Sequence, residues 1–339
     1  MPVPTSPVPS PAAEHDLALL RHYNSPLAGT TIWQIASTFG LYIGCTAAMY
    51  ASLRISAWLT LALALPASGL IVRIFMLQHD CGHNALFRSR RANELTGFLC
   101  SLATLTPFAY WRRLHARHHG SWNNLDARGI PADFFSDCAT LVEYGAMTRV
   151  QKFMYRFSHH PLLTHLLLPP VIFILLYRVP FDTPPTAKRE RRSVYLLDAA
   201  LVAIYAGLIL LFGTRNVLIV QFPAMVLASI IGIWLFSVQH RFADAQWARK
   251  VDWQFASAAL HGTSHLTLPC VLQWFSASIG LHHVHHLSPR IPNYRLQACH
   301  DACLAVTATA SVLTLKQALG ASTYALWDEV LRRMVPFPA

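Results

Sequence analysis

The sequence predicts an all-α integral membrane protein: four transmembrane helices in two hairpins, with interfacial helices and a helical cytoplasmic cap carrying a histidine-rich two-metal site. Three observations point there. Charged residues make up only 13% of the 339-residue chain, against roughly 25% in soluble domains. Several apolar runs reach the ~20 residues that a helix needs to cross a bilayer core about 30 Å thick. Finally, the chain holds 18 histidines, and half of them fall in three short clusters.

Residues 1–30 read as an N-terminal tail and interfacial segment. Met1 to Pro11 is rich in Pro and Ser and lacks the basic and apolar regions of a signal peptide, so residues 1–16 are expected to be a mobile tail. Residues 31–50 and 56–77 form the first expected hairpin, linked only by Ala51 to Ile55. Arg73, near the end of the second span, can snorkel. Residues 194–213 and 215–238 form the second hairpin, turning around Gly213 to Asn216. Residues 95–110 are too short to cross comfortably, and 161–178 is interrupted by His165 and Pro169-Pro170. Both are expected to lie in, or dip into, the interface. The membrane domain then covers 31–305, and 306–339 is expected to be a C-terminal helical segment.

The formal net charge of +11 fits this plan. Lys and Arg collect in short cytoplasmic loops. The two hairpin tips carry only Arg54 and Arg215, whereas most other positive charges lie around 88–91, 112–117, 149–156, 188–192 and 241–250. Both termini and the parts 79–193 and 239–339 are therefore placed on the cytoplasmic side. A crossing at 161–178 would move Lys188, Arg189, Arg191 and Arg192 outside. With the arginines spread along membrane loops and no basic domain, nucleic acid is not an expected partner. Seven cysteines without a C-x-x-C pair give neither a disulfide framework nor a zinc ribbon.

The histidine clusters are His79-Asp80-Cys81-Gly82-His83, His115-Ala116-Arg117-His118-His119 and His282-His283-Val284-His285-His286. On a helix, i and i+4 share a face and i+3 is its neighbour. His79 and His83 therefore point together, as do His115, His118 and His119, and His282, His285 and His286. His283 lies about 100° round the helix and is the weakest member of its cluster. At this histidine content, an H-x-x-H-H pattern is expected by chance only roughly 0.05 times in a chain of this length. Imidazole suits Fe, Cu, Zn and Ni, and eight imidazoles are enough for two metals with open positions. The plain alternative is a set of solvated, histidine-rich interfacial helices, or a metal-storage or transport tract.

The order HDCGH, HARHH, HHVHH resembles the membrane fatty acid desaturase family, and within it the bacterial acyl-lipid branch. Flanking segments support this, among them Asn124 to Gly129, Val238-Gln239-His240-Arg241-Phe242, Leu272 to Phe275, and Leu287 to Tyr294. The resemblance implies a non-haem centre of two irons that uses O₂ and two electrons to place a cis double bond in an acyl chain, one that is lipid-linked. It implies His79, His83, His115, His118, His119, His282, His285 and His286 as iron ligands. His240 matches the further histidine that the family has ahead of the third box. No nicotinamide or haem signature appears, so a separate ferredoxin or cytochrome donor is implied, and the basic loops offer it a steering surface. Localisation in a bacterial inner membrane, with the site facing the cytoplasm, follows from the same reading. Beyond the ligands no catalytic residue is implied.

Asp80 is the first candidate for holding a ligating imidazole by its other nitrogen, with Asp126, Asp244 and Asp252 behind it. Phe108, Tyr110, Trp111, Trp274 and Phe275 are candidate lining for the acyl slot. His261 and His265 form another i, i+4 pair without an expected role. Related chemistries share the boxes: acyl hydroxylation, acetylenic-bond formation and carotenoid oxygenation. From another class, a histidine-rich metal transporter is set aside because its site belongs near the bilayer midplane, whereas these boxes lie at the span ends.

Overall fold

The computed structural model describes residues 18–129 and 133–338, so the expected tail at 1–16 lies outside the described residues. Helix α1, Ala28–Ser52, is followed after a short turn by α2, Ala57–Gly82. The Ser56 side chain caps α2 by accepting from the Trp58 N–H, which satisfies one of the free donors of its first turn. Helix α3, Arg90–Thr104, is capped in the same way by Ser89. It stops where Leu105 adopts a left-handed conformation with φ 55°. Pro107 then precedes α4, Phe108–Ser121. Fifteen residues span only about 22 Å, so α3 lies against the end of α2 without crossing, as expected for 95–110. Helices α5, Lys188–Phe212, and α6, Thr214–His240, are joined at Gly213, whose φ of 81° is a conformation that glycine adopts without strain.

The two hairpins stand side by side with their tips at one end. Tyr50 and Phe212 stack there at 4.1 Å between ring centroids. Small residues let the helices approach closely: Ala64 and Ala67 of α2 share a buried core with Ala224 and Ala228 of α6 and with Leu197 and Leu201 of α5. The histidine clusters sit at the opposite end.

Among the described residues, four helical segments are long and apolar enough to cross a membrane: α2, Arg149–Arg178, α5 and α6. Three of these coincide with expected spans. The expected first span, α1, is missing from this group because its inner half is polar. It nevertheless accompanies α2 from end to end: the Thr31 hydroxyl donates to Leu86 O at 3.0 Å, and Ser52 meets Thr60 at 2.8 Å. The Arg149–Arg178 segment differs in construction. It is broken into Arg149–Ser158, a π turn over Leu162–Leu167, Leu168–Ile174 and a final 3₁₀ turn. It starts in the cap, where the Tyr155 hydroxyl accepts from the Ala139 N–H at 2.7 Å. It ends at Arg178, which pairs with Asp198 at 2.8 Å and donates to Leu105 O. The chain then returns to the start of α5, where Arg189 meets Glu94 at 2.6 Å. Both ends of the segment lie on the histidine side, so it dips inward although its length and composition match those of a span.

The C-terminal part, expected to be helical, is mixed: the helix Leu315–Gly320 and a 3₁₀ turn over Ala321–Thr323 stand among the strands Ser311–Thr314, Leu326–Asp328 and Arg333–Val335. Ser311–Thr314 pairs in parallel with Ser264–Thr267 just ahead of the third histidine cluster. Val312 and Thr314 are β-branched and suit such a strand.

Candidate metal centre

Each histidine cluster is placed by a helix end. His79 lies in the last turn of α2 and His83 caps it. His115, His118 and His119 lie on the inner face of α4, and His240 ends α6. His282, His285 and His286 lie on the short helix α7, His282–Leu287. All nine expected positions converge, and all are buried except His83, which is half-buried.

The ligating atoms fall into two groups. The first holds His79, His83, His115, His119 and His285, and the second His118, His240 and His286. His282 borders the second, with its Nε2 3.2 Å from His240 Nε2. His283 points away, its Nε2 3.1 Å from His300 Nδ1, as its offset on the helix requires. His265 packs near this pair, with its ring 4.8 Å from that of His300, and His261 joins neither metal group.

The hydrogen-bond pattern tests whether a metal fits. His240 Nδ1 lies 2.8 Å from Phe236 O; a carbonyl only accepts, so Nδ1 carries the hydrogen and Nε2 is a bare lone pair. His118 Nδ1 lies 2.5 Å from an Asp133 carboxylate oxygen, which fixes the same tautomer. Yet the two Nε2 atoms stand only 3.0 Å apart, and His286 Nε2 is 3.2 and 3.1 Å from them. Lone pairs aimed at each other in a dry site repel; a shared cation removes the conflict. Two nitrogens at right angles, each about 2.1 Å from one ion, would stand about 3.0 Å apart. In the first group, His119 Nε2 contacts His115 and His285 Nε2 at 3.1 Å each, while His83 Nε2 is buried without a partner. The donor set therefore fits two metal ions.

Charge agrees. Burial first, and neighbouring imidazoles second, hold the pKa values of His83, His115, His119, His282, His285 and His286 well below the usual histidine range. These six imidazoles are thus neutral at neutral pH, and both groups consist of histidines alone, without a carboxylate.

Two acids hold histidines of these groups. Asp80 Oδ1 lies 3.3 Å from His79 Nδ1, and its Oδ2 accepts from the backbone and side-chain nitrogens of Asn293 at 2.8 and 2.9 Å. Gln34 of α1 in turn donates to Asn293 Oδ1 at 2.6 Å, which accounts for part of the polar face of that helix. Asp133 was not foreseen: it lies in a loop with no spacing relation to the second box. Asp126 instead binds Arg249 at 3.1 Å on an exposed loop. Asp244 and Asp252 make no contact with the histidines among the described bonds.

Beside the histidines lies a chamber of about 360 Å³, lined by His79, His115 and His282 on one side and by apolar residues of α2, α4, α6 and the Arg149–Arg178 segment on the others. Tyr110 and Trp111 line it as expected. Phe108 does not: its ring packs on Gly97. Trp274 and Phe275 are also elsewhere, Trp274 under the Arg73 guanidinium at 4.1 Å and Phe275 against Gly69. Tyr110 closes one wall by donating to Asp182 at 2.8 Å. The chamber is mostly apolar and is lined by two histidines of the first group and by His282, which borders the second; this suits a saturated hydrocarbon held away from water.

The family model for fatty acid desaturases matches residues 56–316. The chain is 37% identical over 317 residues to a fatty acid desaturase of Bacillus subtilis (strain 168), covering 94% of this chain and 88% of that protein. It is 30% identical over 266 residues to an sn-1 oleoyl-lipid 12-desaturase of Picosynechococcus sp., covering 76% and 72%. With the sn-1 oleoyl-lipid 12-desaturase of Synechocystis sp. the identity is 26% over 252 residues, covering 67% and 63%.

Proposed function

The chain belongs to the fatty acid desaturase family and is a membrane fatty acyl desaturase; from that premise we propose that it works on lipid-linked acyl chains at a di-iron centre. The ligands in this reading are His79, His83, His115, His118, His119, His240, His282, His285 and His286. The observation that carries it is the pair of bare Nε2 atoms of His118 and His240 held 3.0 Å apart, an arrangement that calls for a cation. The lipid substrate is supported by the relatives named as acting on oleoyl lipids.

The reaction converts –CH₂–CH₂– to a cis –CH=CH–. O₂ takes four electrons, two from the broken C–H bonds and two from a donor, and leaves as two waters with two added protons. When bound, the iron pair supplies the O₂ activation and hydrogen removal. The protein's own residues do the rest. The chamber binds the acyl chain and excludes water, and His79 and His115 bring the first metal group to its wall, with His282 beside them. Asp133 and Phe236 O hold the hydrogens on the Nδ1 atoms of His118 and His240, keeping both Nε2 atoms free to ligate.

Electrons come from a separate ferredoxin or cytochrome in this reading. Exposed Arg88, Arg90, Arg91, Arg117, Lys188, Arg189 and Arg192 give such an acidic carrier a steering surface. The protein is placed in a bacterial inner membrane with this face in the cytoplasm, which the position of the basic loops supports.

Expression in a host with saturated and monounsaturated lipids, followed by mass spectrometry of the fatty acids, tests the reading. A new double bond is expected. Hydroxylated or keto products, or unchanged acyl lipids, would contradict it.

A further inference from the structure

Three histidines outside both metal groups stand together behind the third box. His283 of α7 is fully buried, and its Nε2 lies 3.1 Å from Nδ1 of His300 on the helix Leu296–Ala302. The His265 ring, on the strand Ser264–Thr267, stands 4.8 Å from that of His300 and 5.5 Å from that of His283. The rings of His283 and His300 are 5.1 Å apart by the same measure. This triangle is close to that of His118, His240 and His286, whose rings stand 4.7, 5.0 and 5.1 Å apart.

The backbone fixes two corners of the trio. The Leu266 N–H donates to Gly280 O at 2.8 Å, and His265 bridges Leu281 in antiparallel fashion. Glycine is required at 280, because a Cβ there would run into Leu266 O. His265 and His283 are thus held in register on either side of that link, while His300 comes from a separate helix. Burial pushes the pKa of His265 down to about 4 and lowers that of His300, so both rings are neutral at neutral pH. The Asp301 carboxylate acts on both rings and accepts from the Gln297 side chain at 2.9 Å.

We propose that His265, His283 and His300 form a third metal site, for a borderline divalent ion of the zinc class, which clamps α7 from the face turned away from the two histidine groups. This inference goes beyond the desaturase reading and does not depend on it. Three imidazoles with a carboxylate or water in the fourth position suit zinc, and Asp301, next to His300 in sequence, offers the carboxylate. The ligating atoms are not all within 4.8 Å of one another, as they are in the two groups above, so the half-exposed His265 ring turns inward on binding. One N–H accounts for the contact between His283 and His300; the cation replaces it once that hydrogen moves to the other nitrogen of its ring. The gain is structural. Helix α7 has only six residues, too few to hold a helix unaided, yet it carries His282, His285 and His286. The clamp ties its back to a strand and to a second helix.

The test titrates the purified, full-length, iron-loaded protein with zinc alone, removes loose metal by buffer exchange and counts zinc per chain. Wild type should keep one zinc more than the double variant His265→Ala/His300→Ala. Each single variant should retain zinc more than about a hundredfold more weakly, since loss of a mere orienting partner already costs about ten- to a hundredfold. His160→Ala, which removes an exposed histidine elsewhere, should match wild type. Zinc should also raise the melting temperature of wild type by several degrees and leave that of the double variant unchanged. Cooperative melting without zinc shows that the variants fold. Equal zinc in wild type and the folded double variant would overturn the site and leave His283 and His300 as a hydrogen-bonded pair. The readout is a difference in zinc between two proteins, so it stands apart from desaturation. Absence of unsaturated product would overturn that reading and leave the zinc count as it is.

Discussion

The two halves of the metal centre are built by different means. The group of His79, His83, His115, His119 and His285 relies on number: five imidazoles from α2, α4 and α7. Its one carboxylate, Asp80, stands 3.3 Å from His79 and is shared with Asn293. The group of His118, His240 and His286 has fewer imidazoles but holds two of them rigidly, His118 through Asp133 at 2.5 Å and His240 through Phe236 O at 2.8 Å. A redundant site tolerates the loss of one support. A sparse site depends on it. The first group also contains half-buried His83, whereas all three histidines of the second are buried.

The largest effects should come from the ligands themselves. His118→Ala and His285→Ala, one from each group, should each abolish product and lower bound iron while the protein remains in the membrane. Product analysis and metal content check this, and retained activity in both would refute the ligand assignment. The supports should separate the two halves. Asp133→Ala should weaken metal retention by about a hundredfold and Asp80→Ala by about tenfold, the two ends of the range for groups that orient ligating histidines. Chelator competition on the purified protein measures both, and a larger effect at Asp80 would reverse the comparison.

Acid should act next. The buried imidazoles have pKa values depressed by burial, so the unfolded chain binds protons that the folded chain refuses. Stability is therefore fully present above the usual histidine value of about 6.5 and falls as pH drops below it. Melting temperature measured from pH 8 to pH 5 should decline below about 6.5, and a rise there would contradict the neutral-ligand site. The smallest effect belongs to the surface. Arg117→Glu with Arg192→Glu should slow turnover driven by an acidic electron carrier severalfold, and the deficit should shrink at high salt. Turnover with a small neutral reductant should not change.

Much of the centre was legible because helical spacing alone brings His79 to His83 and gathers the other two boxes on single faces. His240 was legible only through resemblance, since a lone histidine at a span end carries no spacing signal. Asp133 was not legible: it reaches His118 from a loop, and loops obey no periodicity. The same holds for the Gln34–Asn293–Asp80 chain, whose members lie 259 residues apart at the first link. The polar inner half of α1 looks like a weakness of a span when read alone. In the fold, Thr31, Gln34 and Thr38 are buried and bind Leu86, Asn293 and Arg73. The C-terminal strand escaped because its partner, Ser264–Thr267, lies far back in the sequence.

The central claim is that two metal ions occupy two adjoining histidine groups. Metal analysis of the purified, full-length protein tests it most directly. The account predicts two irons per chain, both lost on combining His118→Ala with His285→Ala. A tightly held iron content near zero in the active preparation would contradict it.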